Sequence, residues 1–225
     1  MTRILNLDTA FEWGYVSLAG NGSVLAERTA AGPRDHASFV HVAIGSILNE
    51  LQLEPSGIDA VAVSAGPGSY TGLRIGFAAA KGLCHALNKP LICINTLELL
   101  AAEAQLQISG AAGISGDCLI CPMIDARRME VYTAVYNQCL NIEKAPCSEQ
   151  VDAFFMQSYL DKAPVYFIGD GAAKFEKLSK STRSYFGGVA HKLFIINELS
   201  YNYFRRSLLA DWRIAEPYYL KSFTG

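Results

Sequence analysis

Short apolar runs and segments of helical periodicity alternate along the first half of the chain. The runs of strand length lie at Ile4–Leu7, Trp13–Ala19, Val24–Thr29, Ile58–Val63 and Pro90–Ile94. Asn21-Gly22 joins the second run to the third and predicts a tight hairpin, because both residues tolerate positive φ. Helical spacing of apolar residues predicts one helix capped by Asp35, one over Thr71–Leu87 and one over Thr96–Gln105. The order β-β-β-α-β-α-β-α predicts an α/β fold.

The second half of the chain repeats this order more weakly. Strands are predicted at Leu119–Ile124, Glu130–Tyr136, Cys139–Ala145 and Val165–Ile168, and helices at Asp152–Leu160 and Lys192–Leu208. The small, polar stretch Ser109–Gly116 predicts a linker or an exposed loop. Two meanders, each followed by βα units, predict a duplicated, two-lobed fold. We place the first lobe at 1–108, rejoined by part of 190–225, and a smaller second lobe at 117–190.

The glycine-rich segment Gly66–Gly76 follows a buried strand and opens a helix, where phosphate-binding loops often occur. A P-loop requires a lysine followed by serine or threonine at the helix start, whereas Leu73-Arg74 stands there. The glycine spacing also departs from the G-x-G-x-x-G pattern of dinucleotide sites. What the segment predicts is a tight turn, with Ser69 or Thr71 as the helix cap.

The helix that follows this turn carries Gly72, Gly76 and Ala80 on one face, at intervals of four residues. A glycine inside a helix costs about 1 kcal/mol relative to alanine, so another backbone is expected to approach this face closely. Packing onto the lobe's own sheet and packing against a partner protein explain the stripe equally well. Arg74 points away from the stripe, toward an interface or an ion pair.

Composition limits the classes of function. The chain is 51% hydrophobic and 18% charged, which is typical of a globular protein. A net charge of −2 gives no broad electrostatic footprint for nucleic acid, so this chain is not expected to be the main docking surface of an RNA. The scattered cysteines are expected to be buried free thiols, and the chain is expected to be cytoplasmic, without a signal peptide or membrane span.

The sequence offers only weak patterns for a metal. His36 and His41 project about 140° apart around a helix, so they do not share one metal from one face. Cys118 and Cys121 have the spacing of a zinc knuckle, but no second pair follows, and two buried thiols are the favoured interpretation. We therefore predict no metal site.

Two acidic loops resemble each other in the two halves. Asp8-Thr9-Ala10 ends the first strand, and Asp125-Ala126-Arg127 ends the first strand of the second half, without the glycine that lets a backbone approach a phosphate. We expect Asp125 and Arg127 to pair, holding the strands together or meeting a partner, and Arg128 to be a solvated turn residue. Gly169-Asp170-Gly171 is interpreted as a strand-to-helix turn in preference to the remnant of a nucleotide loop.

An ordered set of motifs over nearly the whole chain resembles the TsaB family. Gly66–Gly76 is similar to the family's GPGSFTGLRIG segment, with Tyr70 in place of Phe. The other motifs are the opening strand Ile4–Thr9, Arg34-Asp35-His36, Ala80–Leu83, Asp125-Ala126-Arg127 with Glu130-Val131-Tyr132, and the closing Glu216–Lys221, where Lys221 replaces an arginine. The ordered set carries the resemblance, because no single piece is specific.

The resemblance implies an actin-like ATPase fold, of the ASKHA or ribonuclease H-like class, with two lobes and a reduced second lobe. It also implies a non-catalytic scaffold for the synthesis of threonylcarbamoyladenosine (t6A) in tRNA. Such a subunit pairs with and activates the TsaD transferase, and the small ATPase TsaE completes the assembly. The resemblance further implies that the first two helices pack with the matching helices of TsaD or with a second copy of this chain, that tRNA is contacted only indirectly through the complex, and that any ATP or ADP binds at the seam with TsaD.

The resemblance also assigns residues to these roles. The partner interface is expected at His36, Phe39, Val40, Gly72, Arg74, Gly76, Phe77 and Ala80. Asp8, Thr9, Gly68 and Ser69 are expected to form either a nucleotide loop at the interface or a purely structural loop, and Asp125, Arg127 and Glu130 form a hairpin motif. The alternative function is an enzyme of the same superfold, either a metal-dependent glycoprotease or a small-molecule kinase.

Overall fold

A computed structural model describes residues 1–30, 36–110, 117–188 and 194–221, and the chain divides into two compact units. The first unit comprises Met1–Thr96 and Leu193–Tyr218, and the second comprises Leu97–Lys192 and Tyr219–Gly225. The first boundary therefore lies at 96 instead of the expected 108. None of the helices in the described ranges is long and apolar enough to span a bilayer.

Ten strands and six α-helices make up these described parts of the chain. The strands are β1 Arg3–Asp8, β2 Gly14–Gly20, β3 Ser23–Ala30, β4 Ala60–Gly66, β5 Leu91–Asn95, β6 Leu119–Asp125, β7 Glu130–Tyr136, β8 Ile142–Gln150, β9 Val165–Ile168 and β10 Ser184–Gly187. The helices are α1 His36–Glu50, α2 Tyr70–Leu87, α3 Thr96–Gly110, α4 Gln157–Leu160, α5 Ala172–Glu176 and α6 Ile195–Arg205.

The two units contain sheets of the same topology. The first sheet has the order β3-β2-β1-β4-β5, and the second has the order β8-β7-β6-β9-β10. In each, the first strand pairs antiparallel with the second and parallel with the fourth. The predicted duplication is therefore confirmed, and it had to be read from the order of elements because no repeated sequence marks it.

The first unit packs helices on both faces of its sheet. Alternate strand residues such as Leu5, Leu7 and Val16 share one core with the inner faces of α1 and α2. The predicted Asn21-Gly22 hairpin is confirmed, with φ of 51° and 86° at these residues. Helix α6 contacts β1 and β5 and belongs to the segment Leu193–Tyr218, which rejoins this unit.

Several predicted elements differ from the structure in their extent. The strand expected at Cys139–Ala145 begins at Ile142, because the Asn137 side chain accepts backbone hydrogen bonds from Cys139 and Asn141 and closes a turn. Only the last four residues of Asp152–Leu160 are helical, since Asp152 forms a local turn by accepting the Phe154 N–H. β10 was not predicted. Asp35, Lys192 and 111–116 lie outside the described residues.

A buried polar network attaches α6 to the sheet of the first unit. The Asn197 Oδ1 accepts hydrogen bonds from Asn6 Nδ2 (2.8 Å) and Ser17 Oγ (2.5 Å), and its Nδ2 donates to the Tyr15 hydroxyl (3.1 Å). Asn6, Ser17 and Asn197 have no exposed surface. The Tyr15 hydroxyl in turn donates to Glu27. Because buried polar groups must find partners, this network fixes the position of α6 along the strands.

Replacing Asn197 with leucine is expected to lower the free energy of unfolding by about 2–3 kcal/mol, because the groups it pairs with stay buried. Urea denaturation at neutral pH measures this loss. Asn202→Leu is the control on the same helix, where Asn202 is exposed, and it should change stability by less than about 0.5 kcal/mol. Equal losses in the two variants would contradict the role of the network.

Candidate functional site

The loop after β1 is fastened to the start of α2 in the first unit. The Thr9 hydroxyl donates to the Gly72 carbonyl at 2.8 Å, and the Ser69 backbone N–H donates to the Ala10 carbonyl at 2.7 Å. Ser69 is the helix cap, because its hydroxyl accepts a hydrogen bond from the Gly72 N–H at 3.3 Å. Asp8 is buried, and its carboxylate accepts a hydrogen bond from the Ala10 N–H. The structural role expected for this loop is therefore supported, and a nucleotide there stays a prediction.

Two glycines of the Gly66–Gly76 segment are required by contacts within the chain. Gly66 has φ of +98°, and a Cβ there would lie 2.9 Å from the Tyr218 carbonyl oxygen. A Cβ on Gly68 would lie 2.5 Å from the Ala10 carbonyl oxygen. The Tyr218 N–H donates to the Ala65 carbonyl, so the backbone at Tyr218 packs along this turn. The turn is built for close backbone approach.

The stripe of small residues on α2 faces the unit's own core, which decides between the two interpretations left open. A Cβ on Gly72 would lie 2.0 Å from the Thr9 carbonyl oxygen, and one on Gly76 would lie 2.4 Å from Thr9 Oγ1. Ala80 has no exposed surface and Phe77 is 3% exposed. The assignment of Gly72, Gly76, Phe77 and Ala80 to a partner interface was therefore wrong, because β1 and β4 already occupy that face.

The interface residues expected on α1 need a similar correction. Val40 has no exposed surface, and His36 is buried with its Nε2 3.1 Å from the Phe11 carbonyl oxygen. Both residues were wrongly assigned, because the inner face of the helix packs on the sheet. Phe39 is partly buried against the same core. Arg74 is exposed on α2, with its guanidinium 4.0 Å from the centre of the Tyr70 ring.

The outer faces of α1 and α2 form the surface that a partner could reach, and we call it the outer helix face. Its exposed members are Ala37, Ser38, His41, Val42, Gly45 and Asn49 on α1, and Arg74, Ala78, Gly82 and His85 on α2. A Cβ added at Gly45 or Gly82 would meet no atom within 4 Å. Neither glycine is needed by the chain's own packing, so both leave room for another backbone. Neither glycine was predicted to lie at an interface, although each is a glycine within a helix, as Gly76 is.

The hairpin between β6 and β7 is held by two lysines that the sequence did not identify as its partners. The Asp125 carboxylate accepts hydrogen bonds from Lys174 Nζ and from the Arg127 backbone N–H, both at 2.6 Å. The pair expected between Asp125 and Arg127 is formed through the Arg127 backbone N–H and not through its guanidinium, and a partner contact at these residues stays a prediction. Glu130 forms an ion pair with Lys221. Partial burial alone would raise the pKa of Asp125, but Lys174 and the Arg127 N–H hold it below its ordinary value.

The turn after β9 repeats the geometry seen after β4. Gly169 has φ of +115°, and a Cβ there would lie 2.0 Å from the Met123 carbonyl oxygen of β6. The Asp170 side chain accepts a hydrogen bond from the Asp125 N–H at 2.9 Å, and α5 starts immediately afterwards. Gly169-Asp170-Gly171 is thus a strand-to-helix turn, and the preferred interpretation is confirmed.

The six cysteines are free thiols, and Cys118 and Cys121 are buried as predicted. Cys139 differs from the expectation because it is exposed in the turn between β7 and β8. Burial raises the pKa of Cys121 to about 12. Over the parts of the chain that are described, no three His, Cys, Asp or Glu side chains are grouped to hold a metal ion.

Comparison with known proteins places this geometry in a family. The family model described as TsaD, a tRNA N6-adenosine threonylcarbamoyltransferase, matches residues 23–205. The Bacillus subtilis tRNA threonylcarbamoyladenosine biosynthesis protein TsaB is 30% identical over 193 residues, which cover 83% of this chain and 80% of the relative. The chain belongs to the TsaB family.

Solved structures show that the fold is that of the TsaB family, whose members are also called YeaZ. YeaZ from Pseudomonas aeruginosa superposes with a TM-score of 0.77 over 98% of this chain and 100% of that protein, at 22% identity. A Listeria monocytogenes protein described as a candidate N-acetylmannosamine kinase gives a TM-score of 0.54 over 91% of this chain and 100% of that one, at 9% identity. The expected two-lobed fold of the actin-like ATPase class is confirmed.

Alanine substitutions at two glycines of α2 are expected to have opposite effects in this TsaB-family chain. Gly72→Ala should lower the free energy of unfolding by about 1–3 kcal/mol, because its Cβ would collide with the Thr9 carbonyl. Gly82→Ala should raise it by about 0.5–1 kcal/mol, because an exposed helix position gains from losing a glycine. Denaturant titrations measure both changes, and shifts of the same sign would contradict the assignment of the two faces.

Stability should also fall at alkaline pH because of the buried Cys121 thiol. Its folded pKa of about 12 exceeds the ordinary value of about 8.5, so the unfolded chain loses the proton first as the pH rises. Cys121 alone accounts for a loss of about 2 kcal/mol in the free energy of unfolding between pH 8 and pH 10, and Cys84, Cys93 and Cys118, whose pKa values burial also raises, add to it. Denaturant titrations under reducing conditions should show this loss reduced in Cys121→Ala and unchanged in Cys139→Ala, which removes an exposed thiol.

Proposed function

We propose that this chain is a non-catalytic scaffold subunit of t6A synthesis, which pairs with a TsaD-type transferase and activates it. The main support for the proposal is the composition of the outer helix face, which is open to a partner. It offers two helices side by side, with Gly45 and Gly82 open to an incoming backbone and Val42 70% exposed between polar neighbours. Small residues let two helices approach closely, and an exposed apolar residue supplies contact area.

The way the chain uses its reactive side chains supports a scaffold over an enzyme. His36 is buried against the Phe11 carbonyl, and the His85 ring packs on Trp212 at 5.1 Å between centroids. Thr9 and Ser69 are engaged by backbone groups of α2 and of its own loop. The Asp125 carboxylate is neutralised by Lys174. Each of these groups is engaged by another group of the same chain. Catalysis instead requires preorganised side chains that stay available to a substrate.

Membership of the family supports a proposal for the remaining members of the assembly. We infer that a TsaE-type ATPase joins the pair, that ATP or ADP binds at the seam with the transferase, and that tRNA is held mainly by that transferase. A net charge of −2 agrees with a minor part in RNA binding. In the absence of the transferase, a second copy of this chain is expected to cover the same outer helix face.

A bulky charge on the outer helix face should abolish pairing. Gly82→Arg and Gly45→Arg are expected to reduce co-purification with the TsaD-type transferase, and t6A synthesis in the reconstituted mixture, by at least about tenfold, since the side chain fills the space left for the partner. Size-exclusion chromatography and nucleoside analysis measure the two effects.

The matched control for these variants is Gly188→Arg, at an exposed glycine of the second unit that also has no atom within 4 Å of a Cβ. It should pair and function normally. Normal pairing by Gly82→Arg would contradict the proposed surface.

The isolated chain should make no t6A from threonine, bicarbonate, ATP and tRNA. Adding its TsaD-type and TsaE-type partners should restore synthesis, because the chemistry resides in the transferase. Mass spectrometry of digested tRNA measures the product. Synthesis by the isolated chain would refute the non-catalytic role and favour an enzyme of the same superfold.

A further inference from the structure

The tip of the β6–β7 hairpin holds two adjacent arginines in an unfavourable backbone conformation. Arg127 and Arg128 have φ of 68° and 48°. Among the residues that the structure describes, they are the only neighbouring pair of non-glycine residues with positive φ. Asparagine and glycine adopt this region readily and occupy it at Asn21-Gly22 of the same chain. A strained turn that keeps two arginines indicates that the side chains serve a purpose beyond closing the hairpin.

The guanidinium groups of Arg127 and Arg128 are available to a ligand, because lysines pair with the acidic groups at the base of the hairpin. Lys174 bonds the Asp125 carboxylate and the Glu130 carbonyl, and Lys221 pairs with the Glu130 carboxylate. The two acidic groups nearest in sequence are thereby neutralised. Arg127 and Arg128 are exposed, and within the described residues neither guanidinium forms a hydrogen bond or an ion pair.

An exposed aromatic ring, that of Phe154, lies on the turn 152–156, which is next to the hairpin tip. The Val151 N–H donates to the Met129 carbonyl at 2.7 Å, which brings the turn 152–156 next to the hairpin. The Asp152 carboxylate accepts the Phe154 N–H at 2.8 Å and fixes the backbone there. Phe154 is 76% exposed and Met129 is 41% exposed, although neither position is needed by the core.

We propose that Arg127, Arg128 and Phe154 form a contact for RNA, with the guanidiniums on backbone phosphates and the ring stacked on an unpaired base. Arginine binds phosphate through paired N–H groups, and aromatic rings on a cationic surface are how proteins hold single-stranded nucleic acid. The inference rests on the proposed function for its RNA, the tRNA substrate of the assembly. It differs from the expectation that tRNA is contacted only indirectly, and it adds a small direct contact to a chain whose net charge of −2 does not favour a large one.

The test is the double variant Arg127→Asn/Arg128→Gly in the assembled complex. Its thermal midpoint should rise by about 2–4 °C, because the strain is relieved. Its KM for tRNA should rise about five- to tenfold, and the slope of log affinity against log salt should fall by about 1 to 2, because one or two phosphate contacts are lost. Phe154→Ala should raise the KM about fivefold or more with no change in the salt slope.

The control variant Arg205→Asn/Arg206→Asn removes the same charge from exposed positions at the end of α6, and its KM and salt slope should stay at wild-type values. The proposal would be overturned if the hairpin variant were more stable but kept the wild-type KM for tRNA and the wild-type salt slope. It would also be overturned if the control variant changed these two quantities as much as the hairpin variant does. Loss of pairing with the transferase instead of tRNA binding would show that the tip contacts protein, which also overturns it.

The proposed function can fail separately. If the wild-type chain does not assemble with the transferase, the scaffold role is wrong, and fluorescence anisotropy of the isolated chain with a labelled RNA stem-loop then decides the contact. Binding that weakens in Arg127→Asn/Arg128→Gly would support the RNA contact. The RNA contact would be overturned if the wild-type chain did not bind the stem-loop, or if the wild-type chain and the variant bound it equally well.

Discussion

The contact between the end of β1 and the start of α2 determines which face of α2 a partner can reach. The Gly72 backbone lies where a side chain would collide with the Thr9 carbonyl, and the Thr9 hydroxyl bonds the Gly72 carbonyl. A helix is a rigid body with 100° per residue, so fixing one face fixes the opposite one. Because Gly72 and Gly76 face the sheet, Ala78 and Gly82 face solvent.

The second unit uses the same constraint with different consequences. Gly169 approaches the Met123 carbonyl as Gly72 approaches that of Thr9, in a sheet of identical strand order. The helix that follows this turn is α5, with five residues against eighteen in α2, so the surface it offers is much smaller. Its hairpin after the first strand carries Arg127 and Arg128, braced by Lys174 and Lys221. One duplicated architecture therefore presents a helix face in one unit and a cationic tip in the other.

Membership of the TsaB family and the surfaces of the two units lead to one consistent proposal. Groups that resemble catalytic or metal-binding residues in the sequence, such as His36 and Cys121, are buried and used for packing. Other residues, such as Gly45, Gly82 and Phe154, are exposed and contribute little to the packing of this chain. Such features are those expected of a protein that acts by holding other molecules.

The sequence by itself determined the α/β class, the duplication and most strand positions, because these depend on local periodicity and turn residues. It also carried the family, through motifs ordered along the chain. It did not distinguish the buried Gly76 from the open Gly82, since a glycine in a helix is the same local signal whichever backbone approaches it. The partners of Asp125 and Glu130 were equally hidden, because Lys174 and Lys221 are distant in sequence. Only the tertiary structure decided these points, since burial and ion pairing depend on which segments the fold brings together.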